Sequence, residues 1–449
     1  MKRGKARHNA ERGMNMIAAK FGGTSLADAD AFRRVAAIVQ DQPERRYIVP
    51  SAPGKREQSD IKVTDLLLAC HKATAAGCRF EGAWNQLRAR FLAIADSLGL
   101  SLDMEGALTE IKERMPAESA DWAASRGEML CGRMLADYLQ FAFIDPVDTI
   151  RFSAEGQFLP METGALLRRK LSGVRRAVVP GFYGGDELGK THVFSRGGSD
   201  ITGALVAQAV NADVYENWTD VCGVRMADPR VIPDARFIDA MTYRELKEMA
   251  RMGASVLHED ALSPVREAGI PLNIRNTFEP THPGTLITCT PAQEHPGQAV
   301  TGIAGGKGYA LVAIEKNGLT PALAQTALDA LAPGALLFEA RPAGGDVVTA
   351  AIRVSGGAPL CEETLTRLRR SMRPDRVTVQ EGMALLSVIG RSAAFSAGIA
   401  ARVLTVLSAQ GVAVRLAHLN PAAFGLLLGV DEGDYAAAVR ILYDAFIRE

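Results

Sequence analysis

The chain opens with a short apolar strand, a glycine turn, a helix and a second strand, and this order constrains the fold most. Met16–Phe21 has the composition of a buried strand, and a Gly-Gly-Thr-Ser turn follows at 22–25. Apolar residues then recur at helical spacing over 32–39, and Tyr47–Ala52 is again strand-like. Two strands joined by a helix make a βαβ unit, which favours a parallel sheet.

The alternation of helices and strands continues and predicts an α/β domain over residues 16–292. Ser25 is expected to cap the first helix, with Asp28 as an acid in its first turn. Further helices are predicted around 64–75, 83–97, 121–140 and 243–268 (broken near Gly253), and strands at 174–183, 213–218, 273–276 and 285–287. Residues 1–15 are polar, lack the apolar stretch of a secretory signal, and are expected to be disordered.

The last third of the chain repeats one element order. Residues 291–308 are rich in glycine and proline and are predicted to be a linker. Strand, helix, two strands and helix then follow twice, offset by about 74 residues, which indicates a duplicated βαββα module. The predicted modules span 300–380 and 381–449.

Composition excludes several classes of protein. Fifty-one basic residues balance 51 acidic ones, so no overall cationic field exists to bind nucleic acid or an anionic membrane. No apolar run reaches the roughly 18 residues that a membrane helix needs. The six cysteines form no CxxC pair and the histidines no HExxH motif, so a reduced, cytoplasmic protein without a structural metal site is expected.

Two glycine turns stand between a strand and a helix. The first is KFGGTS at 20–25, where glycines would let main-chain N–H groups approach a phosphate beside Lys20. The second is SRGGSD at 195–200, with Arg196 suited to a carboxylate or phosphate. Either could be a plain turn, with Asp200 only complementing the helix dipole. Together they favour a site for two anions.

A third glycine segment matches the P-loop pattern GxxxxGK[ST]. It covers 184–191, but the β-like residues 192–194 follow it where a P-loop must run into a helix. We therefore interpret the match as coincidental and predict a hairpin beside the substrate.

Three polar groups could either bind a ligand or be ordinary residues of a turn or a helix end. Trp218-Thr219-Asp220 ends a strand, where open α/β sheets bind ligands, and Asp228-Pro229-Arg230 forms a turn. Glu128, in SRGE at 125–128, is interpreted from the residues alone as a first-turn helix acid.

The ordered motif set resembles aspartate kinase, a member of the amino-acid kinase superfamily with paired C-terminal ACT domains. The motifs are KFGGTS (20–25), PSAPGK (50–55), KVTDLL (62–67), SRGE (125–128), PGFYG (180–184), SRGGSD (195–200), WTDVCGV (218–224), ADPR (227–230), GASVLH (253–258) and NT…PGTLI (276–287). The resemblance implies a three-layer αβα kinase domain followed by two ACT-like modules, which would pair the chain into a homodimer.

The resemblance also implies a reaction and roles for residues. The expected reaction is phosphorylation of the L-aspartate β-carboxylate by MgATP, the first step towards lysine, methionine and threonine. Lys20 and Asp200 would be catalytic, with Asp200 organising Lys20 and the Mg²⁺-phosphate region. The implied ATP-binding residues are Lys20, Gly22, Gly23, Ser51, Thr219, Asp220, Arg225, Asp228 and Arg230. The implied aspartate-binding residues are Thr64, Glu128, Phe182, Arg196 and Ser199, with Arg196 on a carboxylate and Glu128 facing the amino group.

Three positions depart from the family pattern. Ser255 replaces a frequent lysine, Arg225 stands where many relatives have tyrosine, and the segment 418–424 replaces a polar turn of the second ACT module. Two other functions stay open: a different amino-acid kinase, such as one for acetylglutamate or glutamate, and a non-catalytic amino-acid sensor.

Overall fold

The chain forms two compact units in a computed structural model. The structure describes residues 16–253, 259–290, 300–331, 336–340, 347–354, 360, 362–390, 398–420 and 425–448. The first unit comprises residues up to Val224 with Phe237–Tyr243 and Ser255–Ala292, and the second comprises Arg225–Arg236, Arg244–Ala254 and Gln293–Glu449. The expectations for residues 1–15 and for Ser255 lie outside the described residues.

A mostly parallel sheet of eight strands organises the first unit. Its strands are β1 Ile17–Phe21, β2 Arg45–Pro50, β3 Ala142–Phe143, β4 Ala177–Val178, β7 Val214–Thr219, β8 Ala240–Thr242, β9 Leu272–Asn276 and β10 Thr285–Thr288. They lie in the order β3-β4-β2-β1-β7-β9-β10-β8. Only β9 and β10 run antiparallel. The chain order reverses between β1 and β7, and the carboxyl ends of strands at such a switch point are where α/β sheets bind ligands.

The helices are amphipathic or fully buried, as their apolar spacing predicts. They are α1 Ala29–Asp41, α2 Val63–Ala75, α3 Glu81–Leu98, α4 Met104–Arg114, α5 Ala120–Leu139, α6 Pro160–Leu171, α7 Gly198–Val210, α8 Tyr243–Arg251, α9 Ser263–Ala268, α10 Pro321–Leu331, α11 Glu362–Met372, α12 Ile399–Ala409 and α13 Tyr435–Tyr443. Phe21, Phe32, Leu67, Phe91 and Leu130 are fully buried in one cluster that joins β1 to α1, α2, α3 and α5. Burial of each such side chain contributes about 2 kcal/mol and holds the end of β1 rigidly.

The predicted cap of the first helix is wrong by one turn. Asp28, not Ser25, is the capping residue, because its carboxylate accepts from the N–H of Ala31 at 2.9 Å. Gly23–Leu26 forms a turn of 3₁₀ helix instead. The buried Ser25 hydroxyl lies 2.7 Å from that of Thr277, so it is used in a long-range contact.

The second unit is built on one antiparallel sheet of six strands. They are β11 Val300–Glu315, β12 Leu336–Ala340, β13 Val347–Arg353, β14 Arg376–Gly390, β15 Val414–Asn420 and β16 Gly425–Asp431. They lie in the order β12-β13-β11-β14-β16-β15. The predicted βαββα order occurs twice, and the long strands β11 and β14 serve both repeats. The parallel and antiparallel sheets together confirm the predicted α/β fold class.

The linker predicted over 291–308 is wrong from residue 300 onwards. β11 begins at Val300, and its first half pairs with the second half of β14. The glycines there allow close approach of the two strands, because a Cβ on Gly305 would lie 2.5 Å from the carbonyl oxygen of Leu385. Residues 291–299 lie outside the described part of the chain.

None of the helices in the described part of the chain combines the length and the apolar character that crossing a membrane requires.

Candidate active site

A buried lysine, a carboxylate and an amide meet at the ends of the two central strands. Lys20 on β1 lies opposite Asn217 on β7 in the sheet register. The Lys20 Nζ lies 2.7 Å from Asp200 Oδ1 and 3.4 Å from Asn217 Oδ1. Asn217 Nδ2 donates to the same Asp200 oxygen at 2.8 Å. Two partners therefore hold the ammonium at the carboxyl ends of these central strands. Only 8% of Lys20 is exposed.

Two loops meet beside this lysine because both carry glycine. The N–H of Gly54 donates to the carbonyl of Gly23 at 2.7 Å. A Cβ on Gly54 would lie 2.3 Å from the carbonyl carbon of Gly23, which excludes any side chain at position 54 without a shift of the main chain. A Cβ on Gly22 would lie 3.7 Å from Lys20 Nζ. The glycines thus leave room next to the ammonium.

The amides of this loop are only partly available to a ligand. The N–H of Gly22 donates to the carbonyl of Trp218 at 2.9 Å, and the N–H of Ser51 donates to that of Phe21 at 3.0 Å. Gly22 therefore contributes space rather than a donor, and Ser51 would have to contact a ligand through its half-buried hydroxyl.

The second glycine turn places a helix N-terminus at the same site. Gly197 has φ 58°, the left-handed region that favours glycine, and α7 begins directly after it. Ser199 and Asp200 lie in the first helical turn, where N–H groups and the helix dipole attract negative charge. Arg196, just before the turn, is exposed. An anion at this end would meet a helix terminus and a nearby arginine.

Phe182 has a strained backbone where it faces this helix. Its φ is 82°, which is unusual for a residue other than glycine. Its N–H donates to the Thr202 hydroxyl at 3.2 Å, and a Cβ on Gly198 would lie 2.8 Å from its Cα. A Cβ on Gly181 would in turn lie 2.5 Å from the Ser199 hydroxyl. The segment 181–182 is thus packed tightly against the start of α7.

Glu128 is a buried carboxyl, and its interpretation as a first-turn helix acid is wrong. It lies eight residues into α5, which begins at Ala120 under a Ser119 cap. Burial raises its pKa to about 8, against the opposing effect of main-chain hydrogen bonds from Ala52 and from its own N–H. Its Oε2 has no hydrogen-bond partner among the described residues. A buried carboxyl without a full set of partners indicates a site that a ligand completes.

Thr64 lies at the start of α2, which packs against α5 beside Gly127. It is the second residue of α2, directly after Val63. A Cβ on Gly127 would contact the side chains of Val63 and Ala52 at 2.9 and 3.0 Å. The start of α2 therefore faces the part of α5 that carries Glu128.

The end of β7 is supported by a buried charge network. Arg45 and Arg275 both pair with Glu216, at 2.7 and 3.3 Å. The indole of Trp218 donates to the same carboxylate at 2.8 Å, and both guanidinium groups lie over its ring. Thr219 and the exposed Asp220 follow at the end of the strand, where their side chains hydrogen-bond to each other at 3.2 Å.

Three predicted nucleotide residues belong to the second compact unit. Arg230 pairs with Asp228 at 2.7 Å, and the arginine holds the pKa of Asp228 below its usual value against the opposing effect of burial. Arg225 donates to the carbonyl oxygens of Pro233 and Ala235. Their role in binding a nucleotide stays a prediction.

The P-loop-like segment forms the predicted hairpin. Strand β5, Tyr183–Gly185, pairs antiparallel with strand β6, Thr191–Val193. The Asp186 carboxylate accepts from the N–H groups of Leu188 and Lys190, each at 2.9 Å. Because that carboxylate occupies amides which a phosphate would need, the segment is not arranged as a phosphate cradle.

Two residues of the site were not identified from the sequence. Asn217 connects Lys20 to Asp200, and Gly54 contacts the turn at Gly23. Asn217 could have been identified, because a polar side chain at a buried position of a strand requires a hydrogen-bond partner. Gly54 lies in the PSAPGK motif, but its contact with Gly23 is non-local.

Comparisons with known proteins show what the chain is similar to. The model of the amino acid kinase family matches residues 15–276. Aspartokinase 3 of Bacillus subtilis is 31% identical over 96% of this chain and 98% of its own. The crystal structure of Clostridium acetobutylicum aspartate kinase has a TM-score of 0.86 at 37% identity, covering 96% of this chain and all of that one. Escherichia coli aspartokinase III in complex with aspartate and ADP has a TM-score of 0.72 at 26% identity, covering 97% of this chain and 100% of that one.

Proposed function

The chain belongs to the amino acid kinase family and, within it, to the aspartokinases, and we propose that the cleft around Lys20 transfers the γ-phosphoryl group of ATP to L-aspartate. The activity places the enzyme in amino-acid biosynthesis, at the first step towards lysine and threonine. The observation that supports this site most is the contact of Lys20 with Asp200 and Asn217 at the switch point of the sheet.

The chemistry needs positioning and charge neutralisation more than proton transfer. The β-carboxylate of aspartate is ionised at pH 7, because its reference pKa is about 4, so it can attack without a general base. Negative charge shared by the transferring group and its neighbours must be stabilised in the transition state. Lys20 supplies a cation for that purpose, and Asp200 and Asn217 fix its position.

We assign the nucleotide side of the cleft to the glycine turn and the end of β7. Gly22 and Gly23 leave space for the phosphates beside Lys20, and Ser51 directly follows β2 at the same end of the sheet. Thr219 and Asp220 complete this side. Arg225, Asp228 and Arg230 are proposed separately, as nucleotide-binding residues that belong to the second unit.

We assign the aspartate side to the start of α7 and the centre of α5. Arg196 binds a carboxylate of aspartate, and Ser199 and Phe182 shape the space for its chain. Glu128 and Thr64 face the amino group, since a carboxyl with an unpartnered oxygen suits an ammonium.

The residues fit a Mg²⁺ ion that is bound mainly by the nucleotide. Mg²⁺ usually keeps several waters and takes only one or two carboxylates beside substrate phosphates. Asp200 is such a carboxylate at the phosphate side, with 18% of its side chain exposed. When bound, Mg²⁺ would neutralise phosphate charge, while Asp200 continues to hold Lys20.

An acceptor assay tests this function. We expect ATP turnover with L-aspartate and none with N-acetylglutamate or glutamate. Turnover with one of the other two acceptors would assign the chain to another amino-acid kinase, and ligand binding without turnover would indicate a sensor.

Lys190→Ala is expected to leave the KM for ATP within about threefold of the wild-type value. The reason is that the P-loop-like amides are occupied by Asp186 and that Lys190 is exposed on a hairpin. Steady-state kinetics with varied ATP provide the measurement. Loss of ATP binding in a folded variant would show that the hairpin binds phosphate after all.

The KM for aspartate is expected to fall as pH rises from 6 to about 8. Burial raises the pKa of Glu128 to about 8, so below that pH the group is neutral and must lose a proton to pair with an ammonium. Well below pH 8, the KM for aspartate should fall by at most about tenfold for each pH unit. Glu128→Gln should have a higher KM that no longer changes over this range. A wild-type KM independent of pH would contradict the role of Glu128.

We propose that the chain forms a homodimer through its second unit and responds little to feedback effectors. The described six-stranded sheet ends on β15, where Leu419 is 50% exposed, and a free strand edge favours pairing. An amino-acid effector requires paired charges, and the turn after β15 supplies few in its sequence. Residues 421–424 of that turn lie outside the described residues. Light scattering measures the mass of the particle in solution, which should be that of two chains.

Activity is accordingly expected to change less than about twofold at millimolar lysine or threonine. Isothermal titration with each amino acid and with both together, beside the kinetic assay, is the measurement. A saturable heat accompanied by inhibition would overturn this expectation.

We also propose domain boundaries and a location. The kinase domain spans 16–292, and the ACT-like modules span 300–380 and 381–449. The described cysteines (Cys70, Cys78, Cys131, Cys222 and Cys289) form no disulfide with one another, and we propose the reducing cytoplasm as the location.

A further inference from the structure

We propose that Arg90 is a positioning residue for the phosphate-binding turn, an inference that rests on the proposed function of that turn. Arg90 lies in the middle of α3, outside every motif that the family resemblance rests on. We do not assign Arg90 to the lining of the cleft. Its guanidinium instead contacts the main chain of the two loops that form the nucleotide side.

Arg90 connects these two loops through their carbonyl oxygens. It donates to Ala27, at the end of the first glycine turn, at 3.2 Å, and to Gly54 in the second loop. Its side chain also pairs with Asp60 at 3.3 Å. Only 5% of the residue is exposed, so these contacts are made away from solvent. One buried cation therefore holds the segments 22–27 and 51–60 together.

The contact with Gly54 extends directly to the phosphate-binding turn. Gly54 donates its N–H to Gly23 at 2.7 Å, and its Cα has no room for a side chain against Gly23. Gly23 adjoins Gly22, which borders Lys20 Nζ. If Gly54 moves, the main chain at Gly23 loses its partner and its packing. Arg90 thus determines where the turn lies without contacting a ligand.

An arginine is required here because of its geometry and charge. A planar guanidinium can donate in several directions at once, whereas a lysine ammonium is a compact point charge on a flexible stem. Asp60 neutralises the buried cation and is itself held by Arg56 at 2.9 Å. Hydrogen bonds from Arg56, followed by the charge of Arg90, keep the pKa of Asp60 well below its usual value. Removing Arg90 therefore leaves Asp60 with a partner.

The experiment compares Arg90→Met with Arg88→Met. Arg88 lies on the same helix but is exposed, and it pairs with Glu105 at 2.8 Å, so its replacement controls for loss of an arginine from α3. We expect Arg90→Met to raise both the KM and the Kd for MgATP by at least about tenfold. The KM for aspartate should stay within about twofold in both variants, and Arg88→Met should keep the wild-type value for MgATP.

A merely structural role would give a different result. Loss of folded protein lowers the apparent kcat and the melting temperature but leaves both KM values unchanged, and that outcome would overturn the proposal. Arg90→Lys should retain the fold and show an intermediate KM for MgATP.

A second variant tests the same loop if Arg90→Met does not fold. Gly54→Ala should reproduce the selective rise in the KM for MgATP, because its methyl group would displace Gly23. A cavity of about 540 Å³ borders Arg90, and truncation of the side chain in Arg90→Ala would extend this space and leave room for a guanidinium ion. Guanidinium chloride at low millimolar concentration should partly restore the KM for MgATP in Arg90→Ala. A Gly54→Ala variant with normal kinetics, or an Arg90→Ala variant with an unchanged KM for MgATP, would contradict the proposal.

Failure of the proposed function would look different. The Kd for MgATP is measured by isothermal titration without aspartate, so it reports on the turn whichever acceptor the enzyme uses. A wild-type protein that binds MgATP but does not phosphorylate aspartate would refute the proposed function and leave the comparison of Arg90 with Arg88 valid.

Discussion

Lys20→Ala is expected to lower kcat by at least about 100-fold while the KM for aspartate stays within about threefold of the wild-type value. Lys20 is the buried cation at the ends of β1 and β7, 2.7 Å from Asp200. Its charge opposes the negative charge that develops during phosphoryl transfer, so its loss raises the barrier more than it weakens aspartate binding. Steady-state kinetics with each substrate varied in turn give the measurement.

The control for this variant is Lys190→Ala, which removes an exposed lysine from the same unit. Circular dichroism and thermal melting establish that both variants are folded. A Lys20→Ala variant with kcat close to the wild-type value would contradict the assigned role. A large rise in the KM for aspartate with normal kcat would instead place Lys20 on the acceptor side of the cleft.

Asp200→Asn is expected to lower kcat by about 100-fold as well, although the substituted side chain has nearly the same shape. Asp200 accepts from both Lys20 and Asn217, at 2.7 and 2.8 Å, so an amide at this position removes the acidic partner that the ammonium has among the described residues. The lysine would then lie in a buried site without this counter-charge, which disfavours its present position. The same kinetic measurements apply.

Asp30→Asn is a matched control for this substitution. Asp30 also lies in the first turn of a helix, but its side chain is 82% exposed and pairs with Arg33 at the surface. It should therefore leave kcat unchanged. The double variant of Lys20→Ala and Asp200→Asn should be little worse than the poorer single variant, because the two residues act as one unit. Additive losses would show that they act independently.

Much of the fold could be predicted because its signals are local. The glycine turn between Met16–Phe21 and the first helix, and the apolar spacing of that helix, identify a βαβ unit within about 40 residues. The hairpin at 183–193 was likewise predicted, since β-like residues follow its glycine where a P-loop needs a helix. The carboxyl ends of parallel strands then bring Lys20 and the end of β7 to one edge of the sheet.

The features that were missed depend on contacts between distant parts of the chain. Burial of Glu128 depends on α2 and on Ala52, so the four residues around it cannot distinguish it from a surface acid. Gly54 and Arg90 act through the main chain of other loops, and no motif marks such contacts. The first half of β11 has the composition of a linker, and the close approach that its glycines allow depends on the distant strand β14.

The most direct test of the account is identification of the product. An acyl phosphate reacts with hydroxylamine, so incubation of the enzyme with MgATP, L-aspartate and hydroxylamine should give the β-hydroxamate of aspartate in step with ADP. We expect this product with wild-type enzyme and an at least about 100-fold slower yield with Lys20→Ala. Release of ADP without the hydroxamate, or an equal yield from both proteins, would contradict phosphoryl transfer to aspartate at Lys20.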